Sequence, residues 1–193
     1  MNAIELLDTQ HDDVDKLLGK AEQASGQAKR KLFEEIADML AIHSTLEEKI
    51  FYPTVKARST EDILHESLEE HLSVKRIITD LLAYSTNDDV FDAKLKLLGE
   101  QVRHHVNEER TELFPKVKRL FDRDQLEAIG QEMTDLLAKL QQNPAPRLLV
   151  PSQIYAAPPL EAPESMWMRT RKWIENVRKM LAPKREHMRK RHA

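Results

Sequence analysis

The sequence predicts an all-α protein: an up-down-up-down antiparallel four-helix bundle with an extra helix, then a proline-rich strap leading to a C-terminal basic amphipathic helix. Composition is the first observation behind this. Charged residues make up 33% of the 193 residues, aromatics 5%, and there are four glycines, a balance that favours amphipathic helices over sheets built from β-branched and aromatic residues. The second is rhythm, because four long segments repeat apolar residues at spacings of three and four, the period of one helix face. The third is length, which suffices to bury one core without cross-links.

The first segment sets Ile4, Leu7, His11, Val14 and Leu18 on one face, and the second Ile36, Leu40, His43, Glu47 and Ile50. The third carries Leu64, Leu68, His71, Val74, Ile78 and Leu81; the fourth carries Phe91, Leu95, Leu98, Val102, His105, Glu109 and Leu113. Breaks near Ser25-Gly26, Ser59-Thr60 and Ser85-Thr86-Asn87 each offer an N-cap and a short link. Short links make successive helices antiparallel. A fifth helix is expected from Asp124 to Gln141. "NPAPRLLVPSQIYAAPPLEAP" then holds six of the nine prolines, which should exclude helix and strand and leave an extended strap. "SMWMRTRKWIENVRKML" resumes a helical period with Met166, Trp173 and Val177 on one side. The expected domains are a bundle over 1–141, a linker over 142–164 and a basic tail over 165–193.

Charge is divided unevenly. The tail from Ser165 holds ten Lys/Arg and two Glu, a net of +8, whereas residues 1–164 hold 20 bases and 31 acids, a net of −11. Such a tail suits an anionic membrane, a nucleic acid or an acidic protein surface. Docking on its own acidic bundle, or on the mate in a homodimer, is the favoured expectation. The absence of cysteine removes disulfides, thiolate metal sites and cysteine nucleophiles. No run approaches the roughly 18 apolar residues of a membrane span, and "MNAIELLDTQHDD" lacks the basic and apolar regions of a secretory signal. A cytoplasmic protein is expected. No glycine-rich phosphate loop or Ser/His/Asp cue competes with the bundle.

An internal repeat carries the chemistry. His43-x3-Glu47-x5-Pro53 recurs 62 residues later as His105-x3-Glu109-x5-Pro115, and His11 and His71, 60 apart, are both followed by apolar residues at +3, +6 and +7. Residues four apart share a helix face about 6 Å from each other, so each His–Glu pair can address one object. All six polar residues keep register with apolar neighbours and should face the interior. Left unpaired, each would cost a few kcal/mol, more for a carboxylate, and six together would exceed the roughly 5–15 kcal/mol stability of a domain. A lone histidine on an apolar face is more often a hydrogen-bonded core residue, and one His–Glu pair is often a surface pair. Neither accounts for the whole arrangement occurring twice. Four imidazoles and two carboxylates without a thiolate suit iron, manganese or zinc better than magnesium or calcium. Glu47 and Glu109, lying between two histidine pairs, suggest two bridged metals. His104, His65 and Glu48 are read as surface residues, Glu48 because it is turned about 100° from Glu47. Pro53 and Pro115 should kink their helices.

"IHSTLEEKIFYP" and "HHVNEERTELFP", with upstream "QHDDVDKLL" and "EHLSVKRII", resemble the hemerythrin-like HHE cation-binding domains over roughly residues 1–140. The resemblance implies a four-helix bundle around two iron ions, a non-haem, oxo- or hydroxo-bridged di-iron centre. Carried over by position, His11, His43, His71 and His105 would be terminal ligands, and Glu47 and Glu109 the bridging carboxylates. The oxygen-carrying members have a fifth histidine four residues from that of the third helix, where this chain has Lys75 on one side and Ser67 on the other. The expectation is therefore a more symmetric site with open positions that reacts with peroxide, NO or O2 in redox defence or sensing. The alternative is an iron-binding or regulatory module without turnover.

Overall fold

The computed structural model describes residues 1–160. The basic tail expected over 165–193 lies outside them. Helix α1 spans Ala3–Gln23, α2 Gly26–Leu46, α3 Tyr52–Val55, α4 Glu61–Ala83, α5 Asp89–Glu108, α6 Phe114–Leu120 and α7 Arg123–Leu140. A π-helical turn, Glu47–Phe51, joins α2 to α3, and a second, Glu109–Leu113, joins α5 to α6. Around the bundle α1 packs on α2 and α5, and α4 on α5 and α2, which is the up-down-up-down square expected from the short links. Helix α7 lies outside it against α1 and α2.

The helix ends follow local chemistry. Asn2 and Glu5 form a reciprocal capping box at α1, and Asp122 and Gln125 do the same at α7. At α5 the cap is Asp88, whose side chain accepts from the Val90 N–H, rather than the Ser85-Thr86-Asn87 stretch. Ser25 and Thr60 stand at cap positions without making a side-chain cap bond. The Thr60 hydroxyl instead donates to the Val55 carbonyl at 2.9 Å and accepts from the Ala57 N–H at 2.8 Å, closing the α3–α4 turn. At Gly130, a Cβ would stand 2.6 Å from the Met1 carbonyl oxygen, so α7 reaches the start of α1 only because that position is glycine.

Apolar packing fills both ends of the bundle and leaves the middle for the polar residues. Near one end Phe33 and Phe91 meet edge to face, their centroids 5.5 Å apart; towards the other Phe51 and Phe114 do the same at 6.1 Å. Leu18, Leu81 and Leu98 accompany the first pair, and Leu7, Leu64 and Leu113 lie on the far side of the histidines with the second; all are buried. Among the described residues no helix is long and apolar enough to cross a membrane.

The proline-rich strap differs from the expectation. Pro146–Gln153 forms a 3-10 helix with Pro151 inside it. Pro146 holds its first position, where no N–H is required, and the shorter i→i+3 ring tolerates what an α-helix would not. The strap lies on α2 and α4. Arg147 donates to Asp38 at 2.6 Å and to Glu34 at 3.1 Å, the Arg76 guanidinium holds the Ile154 carbonyl at 3.2 Å, and Val150 is buried in the core.

Candidate metal centre

Each half of the chain delivers its polar residues by the same local device. His11 and His71 project from the middles of α1 and α4, and His43 and His105 from the last turns of α2 and α5. The two glutamates begin the π turns, where the Tyr52 N–H reaches back five residues to the Glu47 carbonyl and the Phe114 N–H to that of Glu109. Pro53 and Pro115 have no N–H to donate four residues back. The helix answers with a widened turn at the glutamates, which is a more specific outcome than the kink expected there.

These six residues come together, all buried, with Glu47 and Glu109 fully excluded from solvent. His11 and His43 face each other with their Nε2 atoms 3.2 Å apart, and so do His71 and His105. Glu47 Oε2 lies 3.1 Å from His43 Nε2 and 3.2 Å from His71 Nε2. Glu109 Oε2 lies 3.2 Å from His11 Nε2 and 3.8 Å from His105 Nε2. Each carboxylate thus spans one histidine of its own half and one of the other. The ligand atoms form two overlapping sets, His11/His43/Glu47/Glu109 and Glu47/His71/His105, each with atoms within 4.8 Å of one another.

The two buried carboxylates draw positive charge to this point: although burial opposes it, Glu47 and Glu48 raise the His71 imidazole to about 9. Glu47 Oε1 and Oε2 and Glu109 Oε2 are buried and, among the described residues, have no hydrogen-bond partner, an arrangement that is costly unless something else satisfies them. Burial and the nearby Glu47 charge raise the Glu109 carboxyl to about 7. Burial opposes ionisation of Glu47 too, yet His43 and His71 hold it well below the usual carboxylate range. Burial, with His43 beside it, drives the His11 imidazole down to about 3, leaving a neutral ring with a lone pair to give. Two nitrogens bound to one ion at about 2.1 Å, at near right angles, would stand about 3 Å apart, close to the observed Nε2 separations. The residues fit a pair of metal ions.

The model of the hemerythrin HHE cation-binding domain family matches residues 2–117. The chain belongs to that family. A hemerythrin HHE cation-binding domain-containing protein from Mycobacterium kansasii superposes with a TM-score of 0.65 at 22% identity, over 74% of this chain and 88% of that one, a likeness of fold. A DNA nickase from Nostoc sp. is 26% identical over 143 residues, covering 74% of this chain and 41% of the relative; the chain thus spans about two fifths of that protein's length.

The hemerythrin-like centre has a layer of partners behind its imidazoles that sequence reasoning did not assign. Gln10 Oε1 lies 2.9 Å from His43 Nδ1, Glu70 Oε2 2.8 Å from His105 Nδ1 and Glu48 Oε1 3.0 Å from His71 Nδ1. Glu48 is therefore not a surface residue: its side chain is only 10% exposed, and both of its oxygens accept from the buried Lys75 ammonium at 2.7 and 2.8 Å. Glu48 lies beside the ligand stripe and faces α4, which in a bundle is a neighbour and not solvent. For Gln10 and Glu70 a signal existed, since each immediately precedes the first histidine of its half in "QH" and "EH". Tyr52 donates its hydroxyl to Glu109 Oε1 at 2.9 Å; burial and the Glu109 charge raise this phenol well above its ordinary value, so it stays a donor. His65 is exposed, and His104 is 61% exposed, 3.4–3.5 Å from Glu108 and Glu70.

A cavity of about 30 Å³ opens against the edges of all four histidines, walled by Val14, Leu40, Val74, Ile78, Val102 and, from the strap, Val150. That volume holds roughly two water-sized positions.

Proposed function

We propose that this hemerythrin-like protein holds two irons, with His11, His43, His71 and His105 as terminal ligands and Glu47 and Glu109 as bridges. In this reading it binds or reacts with a small oxidant or diatomic ligand (peroxide, O2 or NO) in redox defence or sensing. The observation that carries the reading is the pair of buried carboxylates, each set between histidines of both halves with oxygens that no hydrogen bond from the described residues satisfies. Iron held there would supply one-electron chemistry and a Lewis-acidic position for the ligand. The chain's own residues do the rest. The valine, leucine and isoleucine walls keep the cavity small, which favours a ligand of two or three atoms over organic substrates. Tyr52 holds Glu109 by its outer oxygen and fixes the carboxylate's orientation. Lys75 occupies a position where a fifth histidine would stand, and its ammonium is committed to Glu48.

Metal analysis with a near-ultraviolet spectrum tests the metal. Two irons per chain with charge-transfer bands are expected; one metal per chain, or a colourless zinc protein, would overturn the reading. Stopped-flow mixing then tests the chemistry, oxygen against the reduced protein and peroxide against the oxidised one. Peroxide loss is expected. Reversible oxygen uptake without peroxide loss would move the protein to the carriers.

A second reading rests on the relative described as a DNA nickase and on the tail's net charge of +8. Residues 1–164 carry −11, which repels phosphate, so any nucleic-acid contact falls to the tail. Incubation of supercoiled plasmid with the full iron-loaded chain would show nicking that weakens with salt if this reading holds, and intact plasmid if it does not.

A further inference from the structure

The two halves repeat the ligands but not what stands behind them. Behind His71 and His105 are the carboxylates of Glu48 and Glu70, at 3.0 and 2.8 Å from Nδ1. Behind His43 is the neutral amide oxygen of Gln10, at 2.9 Å. Among the described residues nothing stands behind His11: its Nδ1 is buried without a hydrogen-bond partner. The offsets of the repeat show where the difference arises. Gln10 matches Glu70 at 60 residues, and Arg110 matches Glu48 at 62. Arg110 has no lone pair to offer His11 and turns outward to Asp8 and Asp12.

A carboxylate accepting from Nδ1–H fixes the tautomer that leaves Nε2 free and makes the ring a stronger donor to a metal. An amide does this less, and an unpartnered nitrogen not at all. We propose that the two metal positions are unequal by construction: the His71/His105 position fills first and holds its ion more tightly, and the His11/His43 position is the exchangeable one. The inference rests on the two-metal reading above. One feature of the inner geometry pulls the other way, since Glu109 Oε2 is nearer His11 than His105, 3.2 against 3.8 Å. That gap is within reach of a small carboxylate rotation about the oxygen held by Tyr52, whereas an absent acceptor cannot be supplied by rotation. Lys75 shares Glu48 with His71 and dampens its effect, leaving Glu70 as the clearer of the two supports.

The test is a calorimetric titration of the full-length apo-protein with Co(II), followed also by its visible spectrum. Two steps are expected, separated by at least one order of magnitude, since losing such a partner typically weakens metal binding about 10–100-fold. His11→Ala should abolish the weak step and keep the tight one; His71→Ala should abolish the tight one. Glu70→Gln, which copies the Gln10 arrangement, should weaken the tight step about 10-fold or more, and Gln10→Glu should strengthen the weak step. Both of these side chains lie at the partly exposed margin of the site, and circular dichroism of the variants checks their fold. A total of one ion per chain would defeat the two-metal reading itself. Two ions in equal steps, or an unchanged gap in Glu70→Gln and Gln10→Glu with the fold intact, would leave that reading standing and overturn this one.

Discussion

Residues 3–55 and 61–120 set their histidine pairs identically, with ring centroids 4.7 Å apart and planes at 63° in both halves. Around the rings the halves part. Tyr52 stacks on His71 at 5.5 Å and gives its hydroxyl to Glu109, whereas its counterpart Phe114 stacks on His11 at 6.1 Å and has no hydroxyl to give. The Glu48–Lys75 pair is buried; Arg110, at the place equivalent to Glu48, makes exposed bridges to Asp8 and Asp12. The difference teaches that a doubled helix pair can keep two-fold geometry in its facing histidine pairs, loosen it already at the carboxylates between them, where His43–Glu47 is 3.1 Å and His105–Glu109 is 3.8 Å, and lose it one layer out, where each side chain answers to its own neighbours.

The largest effect should come from what the halves share. Glu47 and Glu109 each reach both histidine pairs, so Glu47→Ala or Glu109→Ala should cost metal at both positions at once. Loss confined to one half would break the symmetric part of the comparison. Each bound metal should in turn stabilise the protein over its apo form by about 4 kcal/mol when free metal is about 1,000-fold above that site's dissociation constant. At about 2–4 °C per kcal/mol for a domain of this size, melting should fall by roughly 10 °C for each metal removed by chelation. A melting temperature unmoved after confirmed metal loss would show that the buried carboxylates are satisfied without an ion.

The next effect separates the halves. Lys75→Met leaves Glu48 buried beside His71 without its cation and should cost about 3 kcal/mol. Arg110→Ala, its exposed analogue in the other half, should cost about 0–1 kcal/mol. Equal costs in urea denaturation would mean that burial does not distinguish the two pairs. Tyr52→Phe falls between these, at about 1.5–3 kcal/mol for a buried hydrogen bond to a charged acceptor. It makes the halves more alike, since Phe already stands at 114, and should loosen Glu109 without removing either metal.

Most of the fold and the inner site were legible because both obey the period of a helix. His11, His43, Glu47, His71, His105 and Glu109 stand in register with leucines and valines, so rhythm alone sends them inward. Fifth-helix bounds of 124–141 against the observed Arg123–Leu140 follow from the same rule. What rhythm does not encode is the flank of the stripe. Glu48, Glu70 and Gln10 sit one residue from Glu47, His71 and His11, which on an isolated helix points elsewhere but in a bundle points at the next helix. The strap was misread for a different reason: proline forbids the α-helical bond, not the 3-10 turn, and the anchoring by Arg147 to Asp38 and Glu34 spans about a hundred residues of sequence.

The smallest effect should be at His104, where the comparison is sharpest because the residue touches the site's margin without entering it. His104 adjoins His105 in sequence and lies 3.5 Å from Glu70, the carboxylate behind His105. A role in orienting Glu70 would therefore look plausible on distance alone. Its side chain is 61% exposed, however, and its contacts with Glu70 and Glu108 are longer than the 2.8 Å that Glu70 makes to His105. Long, solvent-screened contacts of this kind contribute little, and Glu70 keeps its short bond when they are removed. His104→Ala should thus leave metal content unchanged and shift stability by no more than about 0.5 kcal/mol. His65→Ala, exposed and away from the site, is its control. If His104→Ala instead loosened one metal while His65→Ala did nothing, Glu70 would be held by His104, and the support behind the second half would extend one residue further to the surface.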